Sequence, residues 1–219
     1  MHCGREGSLL CAQCVRESTT VSKDVCRECA EQLSKPGTCT RCVIENSQLD
    51  RLYGSFLYES PVGTAVRAFK FEDVRALAAV LGGMFDVESL KRADADLIVP
   101  IPMHKSRMRS RGFNQSELLA RKLADRLNAE IRSDVLVRSR NTVPQSEMRS
   151  AAERKTAIQG AFSIRPDAES SVSDSRVLLV DDVFTTGRTI QSAARALKSA
   201  GASWVGAAAL TVQPVGALK

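Results

Sequence analysis

The sequence predicts an α/β protein with a mostly parallel sheet and flanking helices, preceded by a small cysteine-rich module. All seven cysteines lie within the first 42 residues, and apolar segments alternate with segments of helical periodicity after residue 49. Such alternation is typical of parallel sheets. The chain has 219 residues, enough for one well-packed domain and a small appendage. We therefore expect a module over residues 1–48 and a larger domain over residues 49–219.

The module carries three C-x2-C pairs, which in a reducing compartment indicate metal ligands more than disulfides. Cys26, Cys29, Cys39 and Cys42 supply four thiolates in two turns, which fits a structural zinc site. All four coordination positions are then filled by protein, so this zinc ion has no place for a substrate. A module this short and this charged needs the metal in order to fold.

The first half of the larger domain contains two predicted strands and two predicted helices. Residues 53–58 and the apolar run 97–102 predict strands. The spacing of apolar residues from Val74 to Leu81 predicts a helix that Gly82 and Gly83 interrupt. Residues 104–111 are expected to form a basic loop, which is followed by a helix with Asn114 as its cap.

The second half repeats the same order of elements. Residues 177–180 and 204–212 predict strands, and apolar residues from Ile190 to Leu197 predict a helix that ends at Gly201. Between the halves, residues 138–155 are polar and basic with little periodicity. A long segment of this kind inside a compact domain is more often a functional flap than a connection.

The composition excludes several classes of protein. The hydrophobic fraction of 43% and charged fraction of 26% are those of a folded globular protein, not of a disordered one. No apolar run is long enough for a membrane helix, and the first residues do not begin a signal peptide, so we expect a cytoplasmic protein without membrane insertion. The net charge of +6 suits an anionic ligand but does not by itself indicate nucleic acid.

Residues 177–189 place two acids between a buried strand and a loop that opens a helix. Ligands of open α/β sheets bind at the carboxyl ends of strands, and a helix N-terminus favours a phosphate group. Because like charges repel, Asp181 and Asp182 suit ribose hydroxyls or Mg2+ and not the phosphate itself. The pattern predicts a ligand that is both sugar and phosphate; the alternative is an acidic strand end followed by a capped turn.

The segment after the strand 97–102 is strongly basic. Arginine binds phosphate oxygens through a planar pair of donors, which suits a pyrophosphate group. The alternative is a solvated basic loop. The cations of this segment are Lys105, Arg107, Arg109 and Arg111.

Residues 177–189 closely resemble the signature with which type I phosphoribosyltransferases bind 5-phosphoribosyl-1-pyrophosphate (PRPP). The resemblance implies a type I phosphoribosyltransferase-like fold, Mg2+ as cofactor and Asp181 and Asp182 as the groups that hold the ribose hydroxyls. By the same resemblance the residues that contact PRPP are Val183, Phe184, Thr185, Thr186, Gly187, Arg188 and Thr189. Lys105, Arg107 and Arg111 are candidates for the pyrophosphate, and Arg149 and Arg154 are candidates on the flap.

Most of the chain resembles the ComF competence-protein family, also called the double zinc ribbon and amidophosphoribosyltransferase-like family. The resemblance rests on residues 99–104, 111–120, 145–146, 153–154 and 160–162 together with the PRPP signature, and R-G-F-N-Q at 111–115 is its most specific part. It implies a link to DNA uptake, with a DNA-uptake helicase and single-stranded DNA as candidate partners. The chain lacks the separate cysteine-nucleophile domain of glutamine amidotransferases, so we expect no glutamine hydrolysis.

The family pattern also implies a second zinc site at Cys3, Cys11 and Cys14, for which the fourth cysteine is absent. His2 replaces it, the true start of the protein lies upstream, or the site is degenerate. In a further alternative, Cys11 and Cys14 share a metal ion with Cys26 and Cys29.

Two functions are compatible with the sequence. The first is a phosphoribosyltransferase that uses Mg2+ and PRPP and releases pyrophosphate on transfer to an unidentified acceptor. The second is an adaptor without turnover that uses the same pocket to sense PRPP or a nucleotide, or to bind single-stranded DNA. A PRPP-responsive transcription factor would need a helix-turn-helix, which the N-terminal segment does not contain.

Overall fold

The computed structural model describes residues 8–72, 74–138 and 161–213. Its centre is a five-stranded sheet in which every pair of neighbouring strands is parallel, in the order β1-β7-β6-β2-β3. The strands of this sheet are β1 (Arg51–Leu57), β2 (Leu97–Pro100), β3 (Glu130–Ile131), β6 (Arg176–Phe184) and β7 (Trp204–Val212). Two short strands, β4 (Leu136–Arg138) and β5 (Phe162–Ile164), form a separate antiparallel pair.

Helices cover both faces of the sheet. Those of the module and the first half are α1 (Ala12–Arg16), α2 (Thr40–Ile44), α3 (Pro61–Phe71), α4 (Leu77–Gly82), α5 (Val87–Lys91), α6 (Lys105–Arg111) and α7 (Gln115–Leu127). A 3-10 turn (Pro166–Ala168), α8 (Glu169–Val172) and α9 (Arg188–Ser199) follow. The prediction of a basic loop at 104–111 was wrong, because α6 occupies this segment. His104 begins the helix by accepting a hydrogen bond from the Ser106 N–H, and Gly112 ends it with a φ of 78°.

The core is divided between the two faces of the sheet. Along β6, Val177 and Leu179 pack on the face that carries α9, whereas Leu178 and Val180 pack on the face that carries α3, α4 and α7. All four side chains are fully buried. This burial on both sides explains why the strand is apolar without alternation. The predicted parallel sheet with flanking helices is therefore confirmed.

The cysteine-rich module packs against the outer edge of β1. Val21 N–H donates to the Ser55 carbonyl at 3.1 Å, Leu57 N–H donates to the Thr19 carbonyl at 2.8 Å, and Leu52 N–H donates to the Arg27 carbonyl. An edge strand is thereby paired within the chain and not left open. The boundary between residues 48 and 49 stays a prediction. In the described part of the chain, no helix has the length and apolarity that a bilayer crossing requires.

Candidate functional site

Two neighbouring carboxylates, Asp181 and Asp182, lie near the carboxyl end of β6; we call them the acid pair. Asp182 is only 3% exposed, and its Oδ1 accepts an ion-paired hydrogen bond from the Lys70 Nζ at 2.8 Å. The other oxygen, Oδ2, is buried and has no hydrogen-bond partner within the described residues. A buried carboxylate oxygen without a donor is unfavourable, so this atom is the point of the site that most needs a ligand.

The Asp181 carboxylate is partly buried and is held by two donors. Its Oδ1 accepts a hydrogen bond from the Ser116 Oγ at 2.8 Å and another from the Asp182 backbone N–H at 3.0 Å. Burial and the charge of Asp182 raise the pKa of Asp181 to about 7, although Lys70 and these donors act in the opposite direction. The acid pair therefore holds a proton close to neutral pH, which the sequence did not reveal.

Lys70 is a residue of the candidate site that sequence reasoning missed. It lies in the last turn of α3, and its ammonium group faces both carboxylates. Burial alone lowers the pKa of Lys70, but the charges of Asp182 and Asp181 outweigh this effect and raise it above its ordinary value. Lys70 is thus a permanent cation that compensates one of the two acids. Its position depends on how α3 packs against the sheet, and no local motif signals this.

The turn between α6 and α7 contains the R-G-F-N-Q segment and places Ser116 beside the acid pair. Asn114 accepts a hydrogen bond from the Ser116 N–H at 3.2 Å and donates from Nδ2 to the Ile101 carbonyl at 3.0 Å. Arg111 donates to the Gln115 Oε1 at 3.0 Å. Because β2 pairs with β6, these bonds fix the turn next to the strand that carries Asp181. The motif therefore has a structural role in positioning Ser116.

The loop 185–187 connects β6 to α9 and is shaped by Gly187 and Phe184. Gly187 has a φ of 73°, and a Cβ atom there would lie 2.6 Å from the Phe184 Cζ. Phe184 is 1% exposed, so its ring supports the loop from the core and does not face solvent. Gly187 is the N-cap and has no side chain, which leaves the first N–H groups of α9 without a side-chain cap.

The other residues predicted to contact PRPP near this loop differ in their exposure to solvent. Thr185 and Arg188 are exposed, whereas Val183, Thr186 and Thr189 are partly buried. Val183 lies on β6, Thr185 and Thr186 lie in the loop, and Arg188 and Thr189 begin α9. A phosphate group at this helix N-terminus would meet backbone N–H groups and a favourable helix dipole.

The basic residues of α6 divide into two groups. Lys105 and Arg107 are exposed, whereas Arg111 is held by Gln115 and lies 5.6 Å from the centre of the Phe71 ring. Arg111 is therefore already partnered by protein, and of the three candidates it is the least available to a pyrophosphate.

Arg138, on β4, joins the site although the sequence did not single it out. Burial and the like charge of Arg107 lower the pKa of Arg138, and Asp181 acts in the opposite direction. The three side chains are therefore close enough to interact electrostatically. Arg107 and Arg138 therefore offer two cations to an anionic group near Asp181. The flap candidates Arg149 and Arg154 fall outside the described residues.

The four cysteines of the predicted zinc site come together. The Sγ atoms of Cys26, Cys29, Cys39 and Cys42 all lie within 4.8 Å of one another, and all four residues are buried. A tetrahedral zinc ion with Zn–S distances of about 2.3 Å separates its sulfurs by about 3.8 Å. The Cys39 N–H donates to the Cys26 Sγ at 3.3 Å, as is expected of a thiolate cluster. This donor set fits zinc, and it overturns the alternative in which Cys26 and Cys29 pair with Cys11 and Cys14.

The Cys11–Cys14 turn has the same backbone form as the Cys39–Cys42 turn. In both, the first cysteine caps a five-residue helix and its Sγ accepts from the N–H of the second at 3.5 Å. The caps have nearly identical angles, φ −77° and ψ 157° for Cys11 against φ −75° and ψ 157° for Cys39. The second zinc site stays a prediction, because Cys3 falls outside the described residues.

Comparisons with known proteins agree with this architecture. The family model of the phosphoribosyl transferase domain matches residues 114–219. The chain is 32% identical to the DNA utilization protein YhgH of Salmonella typhimurium over 203 residues, which cover 90% of this chain and 86% of that protein. It is 28% identical to competence protein F of Haemophilus influenzae over 92% of this chain and 88% of that protein. It is also 28% identical to competence protein ComFC of Bacillus subtilis over 88% and 79%, respectively.

These relatives span both the cysteine-rich module and the sheet, so the similarity is not confined to the acid-pair site. The type I phosphoribosyltransferase-like fold that the sequence predicted is confirmed by the family model and by the parallel sheet. On this evidence, the chain belongs to the ComF family of phosphoribosyltransferase-like competence and DNA utilization proteins.

Proposed function

We propose that this protein binds PRPP with Mg2+ at the acid pair and the loop 185–187, and that it transfers the phosphoribosyl group to an acceptor during the handling of DNA. The observation that carries the proposal is the Asp182 Oδ2, which is buried and has no donor in the described residues. A ribose hydroxyl or a Mg2+ ion would satisfy this oxygen. The names of the relatives support the connection with DNA.

The surrounding groups fit the two ends of PRPP. The uncapped N-terminus of α9, with Thr185 and Arg188 exposed beside it, suits the 5-phosphate. Arg107 and Arg138, which interact with each other near Asp181, suit the pyrophosphate. The ribose would then lie over the acid pair, between the two anionic ends.

Catalysis by this chain would consist of positioning and charge stabilisation. The acid pair would orient the ribose, and Ser116 would keep the Asp181 carboxylate in place. The C1–O bond to pyrophosphate breaks as a bond from the acceptor to C1 forms, and Arg107 and Arg138 would stabilise the departing charge. Mg2+, when bound, would supply further neutralisation of the pyrophosphate oxygens.

A second candidate is an adaptor that binds PRPP or a nucleotide without turnover. The observation that favours it is that both acids already have partners, Lys70 on Asp182 and Ser116 on Asp181. The two candidates share the pocket and differ only in whether the C1–O bond is broken.

Isothermal titration of the zinc-loaded full chain with PRPP and Mg2+ tests the shared pocket. We expect binding by wild type and by the control Asp125→Asn, whose carboxylate is 72% exposed on α7. We expect binding to be lost in Asp182→Asn. Equal affinity of Asp182→Asn and wild type would refute the site. Release of pyrophosphate in the presence of a set of nucleobases and amines would then identify a transferase, and its absence would favour the adaptor.

A further inference from the structure

The segment 47–50 lies between α2 of the cysteine-rich module and β1, and it holds α9 at both ends. In the first turn of α9, the Gln191 Oε1 accepts a hydrogen bond from the Gln48 backbone N–H at 3.0 Å, and the Gln191 Nε2 donates to the Ser47 Oγ at 2.6 Å. In the last turn, the Lys198 Nζ forms an ion pair with Asp50 at 2.8 Å. The helix that follows the loop 185–187 is thus bound by the segment that leaves the module.

The same segment is attached to the four-cysteine site. The Ser47 N–H donates to the carbonyl of Cys42, one of the four cysteines, at 3.1 Å. Leu49 is 2% exposed and belongs to one continuous apolar core with all four cysteines and with the inner face of α9. The position of Ser47 and Gln48 therefore depends on the fold of the module, which in turn depends on its metal ion.

Gln191 is also linked to the loop 185–187 through the backbone. Its N–H donates to the carbonyl of Gly187, the N-cap of α9, at 2.8 Å. Hydrophobic packing of a helix is not directional, whereas hydrogen bonds are. The bonds of Gln191 are therefore better suited than the core to fix where α9 begins relative to the acid pair. The core residues on the inner face of α9 are Ile190, Ala193, Ala194 and Leu197.

From these contacts we infer that Gln191 is a positioning residue, through which the cysteine-rich module sets the place of the loop 185–187. The inference rests on the proposed function, in which this loop receives the 5-phosphate of PRPP, and it adds a regulation of that site. A displacement of about 1 Å is enough to impair a site that must hold its ligand in one orientation. Metal loading of the module and phosphate binding at α9 are therefore linked, and each should strengthen the other.

Isothermal titration of the zinc-loaded full chain with PRPP and Mg2+ tests the inference. Gln191→Met keeps a long, unbranched side chain but removes both hydrogen bonds. We expect PRPP to bind about 5- to 10-fold more weakly to this variant, at the lower end of typical couplings between sites. The matched control is Lys198→Met, which removes the ion pair at the other end of α9. Its affinity for PRPP should equal that of wild type, whatever the change in its melting temperature.

Ser47 provides a second pair of variants. Ser47→Ala removes the acceptor of the Gln191 Nε2, whereas Ser47→Thr keeps a hydroxyl group at this position. We expect weaker binding of PRPP by Ser47→Ala and wild-type affinity in Ser47→Thr. Because the two side chains share one bond, Gln191→Met should weaken binding less in the Ser47→Ala protein than in wild type.

The retention of zinc is an independent measurement of the same coupling. When the zinc-loaded protein competes with a chelator at equilibrium, saturating PRPP with Mg2+ should increase the fraction of zinc that the protein keeps, because coupling between two binding sites is reciprocal. This increase should be smaller in Gln191→Met than in wild type. A side chain that only stabilised the fold would not change the response of zinc retention to PRPP.

Three results would overturn the inference: wild-type affinity for PRPP in Gln191→Met, equal losses in Gln191→Met and Lys198→Met, or zinc retention by wild type that does not respond to PRPP. The second result would indicate a general loosening of α9. In each of these cases wild type still binds PRPP, so the proposed function would stand. Absence of PRPP binding by wild type would instead refute the proposed function and this inference together.

Discussion

Replacement of Asp181 by asparagine should stabilise the protein, whereas replacement of Asp182 by asparagine should destabilise it. Asp181 carries a pKa of about 7 against an ordinary value of 3.8, so the folded protein holds a proton on it that the unfolded chain releases. Above pH 7 this difference disfavours the native state by up to about 4 kcal/mol. Asp181→Asn removes the charge and keeps an oxygen that accepts from Ser116 and from the Asp182 N–H.

We expect Asp181→Asn to stabilise the protein by about 2 kcal/mol at pH 8, because the weaker bonds of the amide offset part of the gain. The melting temperature should rise by roughly 4–8 °C. Because the native Asp181 carboxyl loses its proton only as the pH approaches 7, the destabilisation of the native state by the raised pKa grows from pH 4 to pH 7. The gain should therefore be less than half as large at pH 5.

Asp182→Asn should instead destabilise the protein. This change leaves the Lys70 ammonium, whose side chain is 25% exposed, without its closest counter-charge. Partial burial of an unpaired cation should lower stability by about 2 kcal/mol. Differential scanning calorimetry of both variants at pH 5 and pH 8 measures the contrast. A lower melting temperature for Asp181→Asn at pH 8, or a gain that does not depend on pH, would refute the assignment of the proton to Asp181.

Three further predictions concern the turn, the loop and the metal. Ser116→Ala removes a donor from the ionised Asp181, so the pKa of Asp181 should rise and the pH midpoint of Mg2+–PRPP binding, followed by titration calorimetry, should move upward. Gly187→Ala should cost about 1–3 kcal/mol in chemical denaturation, because φ is 73° and the new Cβ would meet Phe184; unchanged stability would contradict this geometry. Cys39→Ser should lower the zinc content by one ion per chain and should lower the melting temperature, whereas retention of that zinc by the variant would exclude the proposed ligand set.

The sequence predicted the elements whose signal is local. The apolar run 177–180 and the acids after it predicted β6 and the acid pair, because a strand buried on both faces and a loop that opens a helix leave a continuous pattern. The grouping of Cys26 with Cys39 followed from the spacing of the two turns. The ends of helices and strands were predicted less accurately than their presence, since the helix predicted from Val74 begins at Leu77.

The sequence could not predict contacts that depend on packing. Lys70 lies in the last turn of an ordinary amphipathic helix, and only the docking of α3 on the sheet brings it to Asp182. Arg138 belonged to a segment expected to be a flap, whereas it lies on β4, where it interacts electrostatically with Asp181. The basic segment 104–111 was expected to be a loop because its charged residues were given more weight than the ability of His104 to cap a helix. Local patterns do not contain such long-range distances.

The cysteine-rich module covers the edge of β1, so the solubility of the protein should depend on the metal ion that holds the module together. The hydrogen bonds from residues 19–27 cover a strand edge that would otherwise be a template for other chains. If chelation unfolds the module, that edge becomes available to a second molecule while the sheet itself stays folded. Metal depletion should therefore produce oligomers and aggregates of a still folded protein, and light scattering should detect them before circular dichroism reports loss of the sheet.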